Sequence, residues 1–332
     1  MKILVAPLNW GLGHASRCVP LIRRFLDEGH EVILGGDGES LTLLRKHFPQ
    51  LRYVYLAPLN LRYGKGGRQV WAMIKALPKL VLWAYKDHVM LQAVLREEKM
   101  DRVVSDNRFG LYNKATESVY ITHQLHIMLP KGWRWLEPLV RRLHARIYTR
   151  YNKVWVPDYE DPEKSLGGEL SHPHEMVNSK WLNGRLSYIG PLSRFAQITN
   201  YKPQTIYDTV AVLSGLEPQR TMLERELVAR YKGADGQVLI VQGLPNRPNT
   251  RIKRGAVTIV PHMGDAELAA ALKGAKHIIV RSGYSTIMDL EALSLLPSMG
   301  RSGGASIEFI PTPGQPEQEY LAHFMAEKHQ KV

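Results

Sequence analysis

Residues 1–17, MKILVAPLNWGLGHASR, decide how the rest of the chain is read. Ile3 to Ala6 is an apolar run with the length of a buried strand. It feeds a glycine-bearing loop, Asn9-Trp10-Gly11-Leu12-Gly13-His14, behind which a helix is expected. Glycine lets a backbone turn sharply and bring its N–H groups close to a ligand, and a helix start adds a partial positive charge that favours anions. His14 stands between loop and helix and is the side-chain type best suited to exchanging a proton near neutral pH. One turn thus combines an anion- or sugar-binding backbone with a proton acceptor.

Working outward, apolar residues at Val19, Ile22, Phe25 and Leu26 give Ser16 to Glu28 a helical spacing, with Pro20 tolerable in its opening turns. Gly29 closes that helix and Glu31 to Gly35 is a second strand, so the chain opens as a βαβ unit on a parallel sheet with helices on both faces. Glu39 to His47 (helix) and Tyr53 to Leu56 (strand) repeat the unit. Arg102 to Ser105 is a strand ending in Asp106-Asn107-Arg108. Ligands of open α/β sheets bind beyond the carboxyl ends of strands, which predicts that Asp106 faces the same crevice as His14. Ser118 to Thr122 delivers His123 and His126 to that edge, and Lys153 to Val156 delivers Asp158. Residues 158–186 read as irregular; the pair His172 and His174 there has no third ligand spaced for a metal. Leu186 to Gly190 is a strand and Pro191 to Pro203 a linker, which divides the chain into domains 1–195 and 196–332.

The second half restarts the pattern. Thr209 to Leu213 is a strand ending in Ser214-Gly215, and Arg220 to Tyr231 a helix. Strands Gln237 to Val241 and Val257 to Val260, helix Asp265 to Lys273 and strand His277 to Val280 follow. The last of these runs through Arg281-Ser282-Gly283-Tyr284-Ser285-Thr286 into a helix, Ile287 to Leu295, a second anion-binding turn. A strand near Ile307 to Ile310 precedes a Pro-rich segment holding Gln315 and Gln318, then a closing helix to about Lys328. The expected fold is α/β, two Rossmann-like domains facing each other across a cleft.

Composition narrows the class. With 332 residues and 44% apolar content, the chain can bury two ordinary soluble cores. Its one cysteine, Cys18, excludes an intramolecular disulfide and a Cys-based zinc site, which points to a reducing compartment. The first residues lack the long apolar region of a signal peptide, and the most apolar stretch, Ala76 to Leu95, is interrupted by Lys79, Lys86, Asp87 and His88. A cytoplasmic protein is expected. The formal charge of +13 fits nucleic acid, an anionic membrane surface, phosphorylated substrates or a basic solvated surface; with no recognisable nucleic-acid motif, a nucleic-acid partner is not expected. Gly64 to Lys99 interleaves Trp71, Trp83 and many aliphatic residues with lysines, and Lys131 to Lys153 mixes Trp133, Trp135, Leu139 and Leu143 with arginines. Such helices either lie in a membrane interface or pack a core and carry a basic outer face.

The pattern Gly11-x-Gly13-x-x-Ser16 matches a dinucleotide fingerprint only in part: its third position is not glycine and Asp37 sits loosely where the ribose acid belongs. A more specific resemblance lies at the other end. RSGYSTIMDLEAL, followed by PTPGQPEQEYLA, resembles the donor half of MurG-related GT-B glycosyltransferases, and the N-terminal glycine loop before a histidine is similar to that family's acceptor-side loop. The resemblance covers both ends and the spacing of the chain and is looser over residues 60–185. It implies a nucleotide-diphosphate sugar donor, inversion at the anomeric carbon and no catalytic metal or other cofactor. Carried over, Ser214 and Gly215 correspond to the first phosphate loop. Arg281, Ser282 and Gly283 begin the second signature, with Ser285 and Thr286 facing the diphosphate. Asp289 stands where the family has a ribose-binding glutamate, Gln315 and Gln318 lie near the glutamines that contact the sugar, and the base packs near His262 and Met263. The segment PSMGRSGGAS, 297–306, departs from the family by its length and glycine content.

The chemistry expected is transfer to a hydroxyl, on a lipid-linked or membrane-associated acceptor if the basic aromatic helices touch a bilayer. His14 is the general base and Asp106 orients it, while Asn9, Gly11, Gly13, Asn107, Arg108 and His123 stand on the acceptor side. N–H groups at helix starts meet the charge that develops on a leaving diphosphate. Two other classes stay open: a nucleotide-sugar hydrolase or epimerase on the same fold, and a non-catalytic nucleotide or nucleic-acid binder.

Overall fold

A computed structural model describes residues 1–59, 69–173, 182, 184–198, 206–215, 217–296 and 304–330. His174, much of the linker and most of the segment 297–306 lie outside the described residues. The chain divides into two compact units, one made of Met1–Trp10 with His14–Leu192 and the other of Gly11–Gly13 with Ser193–Val332.

The first unit runs β1 (Lys2–Pro7), α1 (Gly13–Asp27), β2 (Glu31–Gly36), α2 (Gly38–His47), β3 (Tyr53–Tyr55), α3 (Gln69–Glu97), β4 (Arg102–Asp106), β5 (Glu117–Ile121), a 3-10 turn (Lys131–Leu136) leading into α4 (Glu137–Tyr148), β6 (Lys153–Val156) and β7 (Leu186–Tyr188). Its strands form one parallel sheet in the order β3-β2-β1-β4-β5-β6-β7. Strands buried on both faces read as continuous apolar runs, and Ile3, Leu4, Val5 and Ala6 of β1 are fully enclosed. The order reverses between β1 and β4, which pair Pro7 with Asp106. That reversal is where open α/β sheets bind ligands.

The helix after β1 begins at Gly13 rather than Ser16, so Pro20 falls inside α1, not in its opening turns. A proline there forgoes its bond to the carbonyl one turn earlier, at a cost of about 3 kcal/mol, offset by the burial of Val19, Leu21, Ile22 and Phe25. Helix α3 packs through Trp83 and Leu91, and its approach is so close that a Cβ on Gly110 would stand 2.0 Å from the Ala84 carbonyl oxygen. Its opposite side is also apolar, with Leu77, Val81, Leu82, Tyr85 and Val89 exposed beside exposed Lys79 and Lys86. Trp135, Leu139 and Leu143 of the 3-10 turn and α4 are exposed in the same way, beside Arg134, Arg142 and Arg146. Phe109 touches both helices, with ring centroids 6.2 Å from Trp83 and 6.2 Å from His144. A core-packing face thus accounts for one side of these helices and leaves their apolar outer sides unexplained. No helix among the described residues is long and apolar enough to cross a membrane.

The second unit runs β8 (Thr209–Val212), α5 (Gln219–Arg230), β9 (Val238–Val241), β10 (Ile252–Arg254), β11 (Val257–Val260), α6 (Asp265–Gly274), β12 (His277–Val280), α7 (Tyr284–Ala292), β13 (Ser306–Phe309) and α8 (Pro316–Gln330). Its sheet order is β10-β11-β9-β8-β12-β13, parallel except for the antiparallel β10–β11 pair. Strand β10 was not expected from sequence. Here the order reverses between β8 and β12, so Ser214-Gly215 and Arg281-Ser282-Gly283 leave the sheet at one switch point. Helix α7 starts at Tyr284, three residues before the expected Ile287, which puts Ser285 and Thr286 in its first turn.

Candidate active site

In the first unit β1 and β4 end side by side, and each hands a functional side chain to the same point. His14, in the first turn of α1, places Nδ1 2.9 Å from Asp106 Oδ1. Asp106 is completely buried, a position a carboxylate holds only when paired. Arg17, one turn further along α1 and equally buried, supplies the pairing: its Nε donates to Asp106 Oδ2 at 2.6 Å and its Nη2 to Oδ1. Nη1 reaches His123 Nδ1, beyond the end of β5, at 3.0 Å, and Nη2 also lies 3.0 Å from His14 Nδ1. The Cys18 thiol lies under the same carboxylate, 3.5 Å from Oδ2.

The electrostatics follow from that packing. Burial alone would raise the Asp106 carboxyl, but the charge and hydrogen bonds of Arg17, with those of His14, outweigh it and hold the group well below the usual carboxylate range. Burial and the neighbouring Asp106 charge push the Cys18 thiol well up, so it stays protonated and donates. His14 and Asp106, which the strand-end rule placed in one crevice, are therefore in contact. Arg17 was marked only by its place one turn after His14 on α1, since its other two partners stand 89 and 106 residues away.

The other first-unit candidates divide. Asn107 follows Asp106 with φ of 60° and accepts a 2.7 Å bond from the Tyr120 hydroxyl. Asn9 is spent on the fold: Nδ2 donates to Asp37 Oδ2 at 3.0 Å and Oδ1 accepts from Ser40 N at 3.3 Å. Gly38, with φ of 54°, leaves room for it, since a Cβ there would stand 2.2 Å from Asn9 Nδ2. Gly11 also adopts a positive φ, 77°, and Gly13 opens α1. The expectation that Arg108 faces an acceptor is corrected. Its guanidinium is entirely enclosed, donating to Asp87 at 2.8 and 2.7 Å, to Asp37 at 2.8 Å and to the Ala57 carbonyl at 2.7 Å. A buried arginine needs its five donors met; two carboxylates, from α3 and the β2–α2 turn, take three of these bonds, and the carbonyls of Ala57 and, at 3.4 Å, Pro7 take the others. His126 is likewise drawn away, 3.1 Å from Glu137 of α4. His172, from the pair weighed as metal ligands, stacks on Tyr188 with centroids 4.5 Å apart.

In the second unit Ser214 and Gly215 follow β8, with Gly215 at φ of 97°, and Gly283, Ser285 and Thr286 open α7. Several donor-site expectations need correction. Arg281 is buried and gives its guanidinium to backbone carbonyls of Ile310, Pro311 and Gln219 at 3.3, 2.9 and 3.0 Å, so it ties β12 to the end of β13 and to α5. The Ser282 hydroxyl donates to the Gln318 carbonyl at 2.7 Å, and the Gln318 side chain accepts from Thr312 N at 2.8 Å. The Gln315 backbone N–H donates to Thr312 O at 3.1 Å, a bond that does not engage the side chain expected at the sugar. These groups hold the loop from β13 to α8. Asp289 accepts a 2.6 Å bond from the Ser193 hydroxyl and lies 3.7 Å from Arg194; burial, opposed by Arg194 and Ser193, pushes it up to about 6. Met263 is buried in the loop after β11, beside His262. Among the described residues no group of three His, Cys, Asp or Glu side chains could hold a metal ion.

No protein-family model matches the chain. It is similar to a protein of Methanosarcina acetivorans named as an uncharacterized glycosyltransferase, with 25% identity across 99% of this chain and 84% of that one. Among solved structures it is similar to the glycotransferase of kitacinnamycin, with a TM-score of 0.58 and 15% identity over 98% of this chain and 84% of that one. Arabidopsis thaliana UGT89C1, solved in complex with UDP-L-rhamnose, gives a TM-score of 0.54 and 16% identity over 98% of this chain and 90% of that one. The chain has the α/β fold of the GT-B glycosyltransferases, built on two parallel-sheet units.

Proposed function

We propose that the chain is a glycosyltransferase that moves a sugar, with inversion, from a UDP-sugar to a hydroxyl acceptor. The observation that carries this reading is the contact between His14 and the buried, ionised Asp106 at the switch point of a sheet in this fold. The similarity to named glycosyltransferases supports it, and so does the UDP-L-rhamnose bound by one structural neighbour. The RSGYSTIMDLEAL segment supports a MurG-related donor half.

The chemistry runs as follows. His14 Nδ1 is engaged by Asp106, which leaves Nε2 to take the proton of the acceptor hydroxyl. The oxygen then attacks the anomeric carbon from the face opposite the diphosphate, and the bond to the diphosphate breaks, inverting the centre. Charge builds on the departing diphosphate. Backbone N–H groups at Ser214-Gly215 and at the start of α7, with the Thr286 hydroxyl, are the groups of the second unit suited to meet it, whereas the Ser285 hydroxyl already donates to the Gly13 carbonyl at 3.0 Å; no metal is invoked. Arg281, Ser282, Asp289 and Gln318 support those loops. The acceptor we propose is lipid-linked or held at a membrane, on the cytoplasmic side, because the outer sides of α3 and α4 pair exposed apolar residues with lysine and arginine.

The test is a panel of nucleotide sugars scored for thermal stabilisation and then for turnover. A donor held at one hundred times its Kd stabilises the folded state by about 2.7 kcal/mol. Stabilisation by a UDP-sugar and release of UDP only when an acceptor is added are expected. Release at the same rate without acceptor would make the chain a hydrolase, and stabilisation by no nucleotide sugar would overturn the donor assignment.

A further inference from the structure

Arg17 touches Asp106, His14 and His123 at once. We propose that it is a positioning residue that fixes the two histidines in opposite tautomers, His14 with its proton on Nδ1 and His123 with its proton on Nε2.

The argument is one of donors and acceptors. A guanidinium has five N–H groups and no lone pair, so it only donates. His123 Nδ1, 3.0 Å from Arg17 Nη1 in a buried contact, must accept there. Its proton is therefore on Nε2, and a second proton on Nδ1 would face the cation directly. His14 meets the opposite constraint. Its Nδ1 stands 2.9 Å from Asp106 Oδ1 and 3.0 Å from Arg17 Nη2. If Nδ1 accepted from Nη2, its lone pair would face a carboxylate oxygen. If it carries the proton, it makes a bond to an ionised acceptor, roughly twice as strong as a neutral one. Asp106 is ionised because Arg17 clamps both of its oxygens, and this decides for Nδ1–H. Arg17 thus acts on His14 through Asp106 and on His123 directly. The outcome is a His14 Nε2 that accepts and a His123 Nε2 that carries a proton, two complementary groups from α1 and the end of β5.

The functional half of this inference rests on His14 as the proton acceptor of the proposed reaction, whereas the tautomers themselves do not. They are read by long-range 15N–1H correlation spectra of the whole protein labelled in histidine nitrogen at pH 8, with the two rings assigned through His14→Gln and His123→Gln. The expected wild-type spectrum shows the protonated nitrogen of His14 as Nδ1 and that of His123 as Nε2. The reverse at either ring overturns the proposal, and the wild-type spectrum decides this whether or not any Arg17 variant folds. Arg17→Lys keeps the charge but not the two-pronged clamp, and Arg17→Met removes both. In each, the His14 signal is expected to split between the two tautomers, and kcat to fall at least tenfold with KM for donor and acceptor within threefold. An unsplit His14 signal and unchanged kcat in a folded Arg17→Met protein would overturn the positioning role. The stated tautomers in a protein that transfers no sugar would support this inference and sink the function proposed above.

Discussion

Arg108 is the sharpest place to test whether a charged residue near the site serves the fold or the substrate. Replacing it with methionine keeps much of the volume of the side chain and removes every polar contact. The guanidinium is wholly enclosed and bridges Asp87, itself fully buried, and Asp37. Taking one partner from a buried ion pair costs about 3–5 kcal/mol, since the charge left behind has neither water nor counter-ion. With a urea dependence of about 2 kcal/mol per molar, the unfolding midpoint should fall by about 1.5–2.5 M. Tryptophan fluorescence isolates the event, because all 7 tryptophans precede the boundary at Ser193 and so report on the first unit alone. One of them, Trp83, lies under the Arg108 guanidinium with its ring centroid 5.3 Å away. The pH dependence adds a second signature. Burial already raises Asp87 above its ordinary value with Arg108 present; without Arg108 it rises further. A carboxyl raised in the folded state gives stability that is present at low pH and lost as pH rises through the folded value. The deficit of the variant should therefore shrink as pH is lowered from 8 towards 5. A midpoint shift below about 0.5 M, with a raised KM for the acceptor, would return Arg108 to the substrate and refute this account.

His14→Ala should lower kcat by 10²–10⁴-fold, as loss of a general base does, while leaving the fluorescence midpoint within about 0.5 M; unchanged turnover with every donor that binds would remove His14 from the chemistry. Asp289 is held up to about 6, so the second unit should lose about 2–3 kcal/mol of stability as pH rises from about 4 to 6. Asp289→Asn should flatten that profile in calorimetry, and an identical slope in the variant would place the titration elsewhere. Leu82→Glu with Leu143→Glu, both at exposed positions, should weaken sedimentation with phosphatidylglycerol vesicles more than tenfold, since each leucine brings about 1.5–3 kcal/mol when buried. Equal sedimentation of variant and wild type would show that neither helix meets the bilayer.

What was legible in the sequence and what was not divide along physical lines. Strands β1, β2, β9, β11 and β12 announce themselves because a parallel strand covered on both faces is an uninterrupted apolar run. Strand β10 does not, since Ile252, Lys253 and Arg254 are all exposed and pair only along one antiparallel edge. Gly13 is a loop signal by type, yet it begins α1, which hides the start of that helix in the sequence. Asp106 could be placed by the strand-end rule, which needs only local pattern. Arg17, Arg108 and Arg281 could not: what a buried arginine does depends on carboxylates and carbonyls brought to it from distant segments. The same holds for Asp289, whose type and position on α7 match a ribose ligand while Ser193 and Arg194 claim its oxygens.

The lone cysteine gives the site a clock of its own. Cys18 is sealed under Asp106 and kept protonated by burial and by that charge, so a thiol reagent reaches it only when α1 lifts from the end of β4. No other sulfhydryl in the chain competes for the label. The rate at which it is alkylated, with and without donor or acceptor, therefore counts how often this one corner opens, independently of whether a sugar is ever transferred.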